Sequence, residues 1–171
     1  MRNSSAFTLV ELLVTVAVAA ILLMVAVPGF QSLIRSNQAS TEANALHTAL
    51  LFARSEALKR RGSVTLCRSA DGASCGGNWA DGWIVFNDTD ADGALDAGET
   101  LLRVGSAVAT GISLSVSPAG TNFVRFQPGG AAGTAVTWTL TPATCPSAQP
   151  GIRDVTLSAV GQASVTDVKC P

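Results

Sequence analysis

From Phe7 to Phe30 the chain is apolar at nearly every position, and Glu11 is the one charge in those 24 residues. Nothing charged falls between Leu12 and Val27. Hydrophobicity that is continuous rather than periodic predicts a helix buried on all sides, long enough to cross a hydrocarbon core of about 30 Å. An ionised carboxylate at the edge of such a segment costs a few kcal/mol unless a partner neutralises it, so Glu11 reads as functional. Past Pro28 the pattern becomes periodic. Leu46, Leu50, Ala53 and Ala57 recur at intervals of four, three and four, with Arg35, Asn37, Glu42, Arg54 and Glu56 scattered among the other positions. That is the signature of an amphipathic helix. It is predicted to stop at Lys59-Arg60-Arg61-Gly62, where basic residues meet the negative end of the helix dipole and glycine offers a permissive C-terminal conformation. One helix over 7–61 would be roughly 80 Å long. Pro28, which lacks a backbone donor and crowds the preceding turn, is expected to bend or loosen it.

After Gly62 the period changes to two. Short β-branched or alternating runs at 63–67, 83–87, 100–104, 112–116, 122–127, 135–140, 154–160 and 163–169 are separated by Gly, Pro, Ser and Asp turns. In the sixth run Val136, Trp138 and Leu140 share one face, and Thr137 and Thr139 the other. Residues 129–133 read as a flexible turn and 142–151 as a loop carrying Cys145. The expected fold class is α+β: a long N-terminal helix packed on a C-terminal antiparallel β-sheet domain of one or two sheets, with no repeat and no second domain.

Composition agrees with an apolar segment attached to one modest domain. Of 171 residues 47% are apolar and only 13% charged, and the formal net charge of −1 gives no global attraction to nucleic acid or anionic lipid. Four cysteines, Cys67, Cys75, Cys145 and Cys170, have no CxxC spacing, and His47 is the single histidine available as a co-ligand. Disulfides are therefore favoured over a zinc site, which places the β region in an oxidising compartment. Three connectivities are open. Cys67 with Cys75 and Cys145 with Cys170 is preferred, because each pair closes a local loop.

The string Ala6-Phe7-Thr8-Leu9-Val10-Glu11, a short polar leader followed by an apolar helix, resembles type IV prepilins and type II secretion pseudopilins. The likeness implies cleavage between Ala6 and Phe7 by a prepilin peptidase and N-methylation of Phe7. It further implies pairing of Glu11 with the N-terminal ammonium of a neighbouring subunit during assembly. Phe7 and Glu11 are also adjacent on a helix face, so pairing within one chain competes. The family has Gly before the cut where this chain has Ala6, so slower processing is expected. A secretory signal peptide would have a shorter apolar run without an acid inside it, and a plain membrane anchor has no use for Glu11.

The stretch Gly76-Gly77-Asn78-Trp79-Ala80-Asp81-Gly82-Trp83-Ile84-Val85-Phe86-Asn87-Asp88 and the later Glu99-Thr100-Leu101-Leu102 resemble the GspH/FimT group of minor pilins and pseudopilins. The section from Cys145 to Cys170 is similar to its FimT/FimU branch. The resemblance implies a leader over 1–6, a transmembrane helix over 7–30, an amphipathic continuation over 31–62 and a periplasmic globular domain over 63–171. The partners implied are other pilins, the peptidase and the inner membrane. DNA-binding members carry Gly-Arg-x-Arg near the C-terminus. The matching place here reads Gly161-Gln162-Ala163-Ser164, without either arginine, so DNA is not an expected partner.

One further motif stands out. Residues 88–99 fit the twelve-residue calcium-loop template, with Asp88, Asp90 and Asp92 at positions one, three and five, Gly93 at six, Ala94 at seven, Asp96 at nine and Glu99 at twelve. Six of the chain's twelve acids lie between Asp81 and Glu99, the density of oxygen ligands a hard cation needs. Against this, the residues before the loop read as strand instead of helix, and a plain acidic hairpin explains the same composition. Calcium is therefore a candidate ligand, and no cofactor is required. No nucleophile elbow, phosphate loop or His-Glu-x-x-His string suggests catalysis. Trp79, Trp83 and Trp138 are expected in packing, His47 at a packing surface, and the basic residues 59–61 at a helix end in preference to a phosphate site.

Overall fold

The computed structural model describes residues 8–145 and 147–171, with the side chains of residues 25, 27–29, 31 and 32 outside that description. Helix α1 spans Leu9–Arg60, 52 residues. The chain divides into two units, Met1–Ile34 and Arg35–Pro171. In the first, helix is the only regular structure among the described residues. The expected bend at Pro28 falls on a side chain outside those residues.

In the second unit the periodic stripe of α1 is buried. Ala39, Ala43, Ala49, Ala53 and Ala57 are fully buried, with Leu46 and Leu50 between them. The alanines let the helix backbone sit close to whatever it covers, and the leucines fill the remaining depth. The helix ends at Arg60, inside the predicted basic run and one residue earlier than a glycine cap would place it. Arg61, not Gly62, takes the left-handed conformation, at φ 53°, and the Gly62 N–H donates to the Ala57 carbonyl at 3.3 Å. Glu56 accepts from Arg60 Nε at 2.7 Å and lies 3.5 Å from Lys59 Nζ, contacts that support the last turn of the helix. Its carboxyl is kept below the usual carboxylate range, chiefly by the Arg60 hydrogen bond and against the opposing effect of burial. These contacts occupy two of the three cations in the basic run and leave it as a helix terminus.

Eight strands follow: β1 Val64–Arg68, β2 Trp83–Asn87, β3 Thr100–Gly105, β4 Ile112–Ser117, β5 Phe123–Phe126, β6 Val136–Pro142, β7 Pro150–Leu157 and β8 Ala163–Lys169. A 3-10 turn, Trp79–Asp81, precedes β2. All pairings are antiparallel and make two four-stranded sheets, ordered β3-β2-β1-β5 and β4-β6-β7-β8. The expected loop at 142–151 is shorter than predicted, because Pro142 pairs with Ile112 and Pro150 with Lys169. A proline is tolerated at a strand end, where no ladder donor is needed. β7 also begins earlier than the alternation suggested, since two of its interior residues are polar and satisfied. Arg153 pairs with Asp167 at 3.0 Å and donates to Ser40 Oγ, while Asp154 accepts from Thr139 Oγ1 at 2.7 Å. β7 ends at Leu157, leaving Val160 exposed in the turn beyond it.

The main core lies between the α1 stripe and both sheets, with Leu66, Val85, Val124 and Phe126 from one and Val136, Trp138, Leu140, Val155 and Leu157 from the other. Trp79 meets Trp138 edge to face, 5.3 Å between ring centroids, and its Nε1–H donates to the Thr121 carbonyl at 2.7 Å. All three tryptophans are buried. His47 sits beside β8, with Nε2 3.2 Å from the Ala163 carbonyl. A second, smaller cluster forms on the other face of the first sheet, where Cys67, Ile84 and Phe86 are covered by Cys75 and Leu95.

The structure pairs Cys67 with Cys75 and Cys145 with Cys170, eight and 25 residues apart. Within the shorter loop, Asp71 accepts from the Ser74 hydroxyl and the Ala73 and Ser74 amides, which hold its carboxyl far below the usual range. The longer bridge ties the residue after β8 to the 143–149 connection.

Two outcomes are expected in denaturant titrations of the detergent-solubilised chain followed by tryptophan fluorescence. Leu50→Ala removes a fully buried side chain at the centre of the helix stripe and lowers stability by about 2–5 kcal/mol. Replacing Cys145 and Cys170 together by Ser lowers it by about 3.5 kcal/mol, the loop-closure value for a bridge of this span.

Candidate functional site

The N-terminal segment is built around Thr8. Its hydroxyl accepts from the Glu11 amide at 3.2 Å, and its carbonyl accepts from the Leu12 amide at 3.2 Å, so Thr8 caps α1. Glu11 then stands three residues inside the helix, where the positive end of the dipole favours a carboxylate. The Thr-x-x-Glu spacing is a capping-box signature, a signal that the sequence itself carries. Ala6 and Phe7, the residues flanking the expected cut, lie outside the described residues.

From Leu9 to Met24 the helix has no covered side among the described residues. Leu9, Val10, Leu12, Leu13 and Val14 are 56–76% exposed, and consecutive positions advance about 100° each, so every direction around the axis presents apolar surface. Val16, Val18, Ile21, Leu22, Leu23, Met24, Phe30, Leu33 and Ile34 continue it. Among the described residues no helix is long and apolar enough to cross a membrane. The sequence carries the uncharged stretch on past Met24 to Val27, into side chains outside that set.

The acidic loop 88–99 joins β2 to β3. Asp88 is fully buried at the end of β2; its Oδ2 accepts from Thr65 Oγ1 at 2.6 Å and lies 4.0 Å from Arg125 Nη1, and its amide donates to the Ser63 carbonyl at 3.0 Å. Arg125, on β5, also donates to the Ala91 carbonyl. Glu99 closes the loop from its far end: Oε1 accepts from the Thr89 amide at 2.6 Å and Oε2 from the Asp96 amide at 3.2 Å. Gly93, at φ 86°, lies against the Phe123 ring, where a Cβ would approach to 2.7 Å. Leu95 packs on the Ile84 and Phe86 cluster. Neither Arg125 nor Thr65 had a sequence signal, because both reach the loop only through strand pairing.

Carboxylate oxygens of Asp88, Asp90 and Glu99 lie within 4.8 Å of one another, as do those of Asp90, Asp92 and Asp96. This crowding raises the Asp96 pKa, through Asp92 first, then desolvation, then Asp90, Glu99 and Asp88. The place corresponding to Gly-Arg-x-Arg is the β7–β8 turn and the start of β8. There Gly161, at φ 82°, stacks on the Gly130 carbonyl, and Gln162 donates its amide to Ser158 Oγ at 3.1 Å.

Residues 42–161 match the family described as Type II transport protein GspH, and residues 1–27 match the prokaryotic N-terminal methylation motif. Among curated proteins nothing matches the chain. The type IV minor pilin FimU of Pseudomonas aeruginosa is similar in structure, at TM-score 0.59 and 21% identity over 76% of this chain and 89% of that one. The minor pseudopilin EpsH from the type II secretion system of Vibrio cholerae is similar at TM-score 0.50 and 13% identity, over 78% of this chain and 97% of that one. Both likenesses concern the fold: an N-terminal helix against antiparallel sheets.

Thr8→Val, which keeps size and removes the capping oxygen, is expected to destabilise the first turn of α1 by about 1 kcal/mol. Amide exchange at residues 9–12 should accelerate about fivefold, with rates in the β strands unchanged.

Proposed function

The chain belongs to the Type II transport protein GspH family, and from that premise we propose that it is a minor pilin-like subunit built into a filament through its N-terminal helix. Members of this family are structural subunits, not enzymes. The observation that carries the proposal is the first unit of α1: an apolar surface on every side, opening on a capped turn with one carboxylate, inside a methylation motif.

In this reading a prepilin peptidase cuts between Ala6 and Phe7, and Phe7 is N-methylated. The apolar helix is held first in the inner membrane and then among the helices of neighbouring pilins. The β unit lies in the periplasm, consistent with its two disulfides. Glu11 takes up the Phe7 ammonium of the adjacent subunit. In water that attraction is worth about 1 kcal/mol at 4 Å, and it strengthens severalfold where lipid and packed helices exclude water. Fixing the pair fixes the axial step between subunits. Pro28, between the two chemically different parts of α1, gives the helix a weak point where curvature of the packed bundle is taken up. The fold is shared by a type IV pilus subunit and a type II secretion subunit, and this chain's features fit either filament.

Two measurements test the reading. Intact mass of protein from cells with the peptidase should correspond to a chain beginning at Phe7 and carrying one extra methyl group, and to the unprocessed chain in cells without it. Glu11→Ala should lower incorporation into sheared filaments at least about tenfold, the factor equivalent to 1.4 kcal/mol, at unchanged membrane abundance. Incorporation at the unsubstituted level would remove the basis of the proposed pairing.

A further inference from the structure

The β2–β3 loop holds a charge imbalance that the assembly role neither uses nor explains. Asp88, Asp90, Asp92, Asp96 and Glu99 are brought together on twelve residues, and Arg125 is the cation that reaches them. Four of the five carboxylates are at or near the surface, where water tolerates such crowding. Asp88 is different. It is fully buried, and although its Oδ2 is engaged by Thr65 and faces Arg125, its Oδ1 is buried with no hydrogen-bond partner. A buried anionic oxygen without a donor costs free energy that folding does not recover unless a cation or a proton meets it. Arg125 cannot serve both oxygens, because its guanidinium lies on the Oδ2 side and also donates to the Ala91 carbonyl.

The spacing of the carboxylates states what would fit. Ligand oxygens on opposite sides of a calcium ion, each about 2.3–2.6 Å from it, stand roughly 4.6–5.2 Å apart. The two acidic trios are each gathered within 4.8 Å and share Asp90, so a single ion would draw them together about that residue. Glu99 is already oriented by the Thr89 and Asp96 amides. A carboxylate has about four acceptor directions, so these bonds leave it able to bind a metal as well. Leu95, seated on Ile84 and Phe86, and Gly93, seated on Phe123, pin the middle of the loop to the first sheet. The ligands therefore approach one another from a partly fixed frame.

We infer that Asp88, Asp90, Asp92, Asp96 and Glu99 hold one calcium ion, with the Ala94 carbonyl as the backbone ligand of the twelve-residue spacing, and that the ion locks the β2–β3 loop onto the first sheet. Calcium is preferred to magnesium because an all-protein set of six or more oxygens in a loop suits the larger, geometrically tolerant ion, whereas magnesium retains water and demands octahedral geometry. The ligand set enters through a strand, so the site borrows the loop of the helix–loop–helix calcium motif without its helices.

The test uses the full chain in detergent, freed of metal with a chelator, and calcium chloride or magnesium chloride as the probe. Titration calorimetry should give one calcium per chain, with a dissociation constant of about 1 mM or tighter, the range of extracellular calcium modules. Calcium should raise the thermal midpoint, and magnesium at the same concentration should not. Asp90→Asn changes an exposed member of both trios and leaves the buried Asp88–Thr65 contact intact. It should weaken calcium at least tenfold while leaving the metal-free midpoint unchanged or higher. An absence of calcium binding by the folded chain at millimolar concentrations, equal response to both metals, or undiminished binding by Asp90→Asn would each overturn the inference.

Discussion

Apolar surface that its own domain cannot cover is the constraint on which the rest of this protein depends. From Leu9 to Ile34 fourteen large apolar side chains lie at least half exposed, in all directions around α1. Burying side chains of this kind is worth about 1.5–3 kcal/mol each, so the segment as a whole is driven from water by tens of kcal/mol. Against that, one carboxylate within an apolar helix costs about 2.5–3.5 kcal/mol at the centre of a membrane and less near its edge. The magnitudes decide the division of labour. The apolar side chains drive the helix from water, and Glu11 is too small a term to prevent it. Its contribution lies in choosing which burial is complete, since only an arrangement that presents a positive group to residue 11 leaves no charge unmatched.

The second part of the same helix obeys the opposite rule. Residues 39–57 meet their partners within the chain, and the recurring alanines let one helix serve two sheets at once. A larger residue at Ala43, Ala49 or Ala53 would lift the helix off both, because the interior has no space to yield. Polar contacts then fix how the helix lies on the sheets: Arg35 donates to Thr144, Ser40 accepts from Arg153, and His47 meets Ala163. These are single hydrogen bonds of modest net value. Their use is positional, since they join the helix to β7, to β8 and to the connection after β6, and the small apolar stripe alone would permit sliding.

Much of this was readable in the order of residues. Period 3.6 in the helix and period 2 in the strands are properties of local chain geometry, so eight strand positions and the buried stripe follow from pattern alone. What the pattern could not supply is whatever depends on partners distant along the chain. Pro142 and Pro150 look like loop residues until Ile112 and Lys169 are seen opposite them. Arg153 and Asp154 break the alternation of β7 and are satisfied by Asp167, Ser40 and Thr139, none of them neighbours in sequence. At the helix end the left-handed position falls on Arg61, one residue before the glycine, so the helix stops a step earlier than glycine placement implied. In the acidic loop the spacing of ligands was legible, whereas Arg125 and the burial of Asp88 were not, since both arise from the pairing of β1 with β5 and from the packing around β2.

Glu11 and Asp88 pose the same electrostatic problem in different surroundings. Each is a carboxylate in a setting that supplies too few partners for it, and each has part of its need met locally: Glu11 by the dipole of a Thr8-capped helix, Asp88 by Thr65 and Arg125. In both cases the local share is incomplete. A helix dipole contributes about 0.3–1 kcal/mol at an exposed first turn, well short of the cost of carrying a carboxylate into lipid, and one oxygen of Asp88 has no donor at all. Residual charge of this kind is tolerable only when something outside the folded chain completes it. In the proposed filament the completing group for Glu11 is an ammonium on another subunit, and the remaining energy is released by assembly. In the proposed calcium site the completing group for Asp88 is a cation from solution, and the energy is released within the subunit, at the loop between β2 and β3.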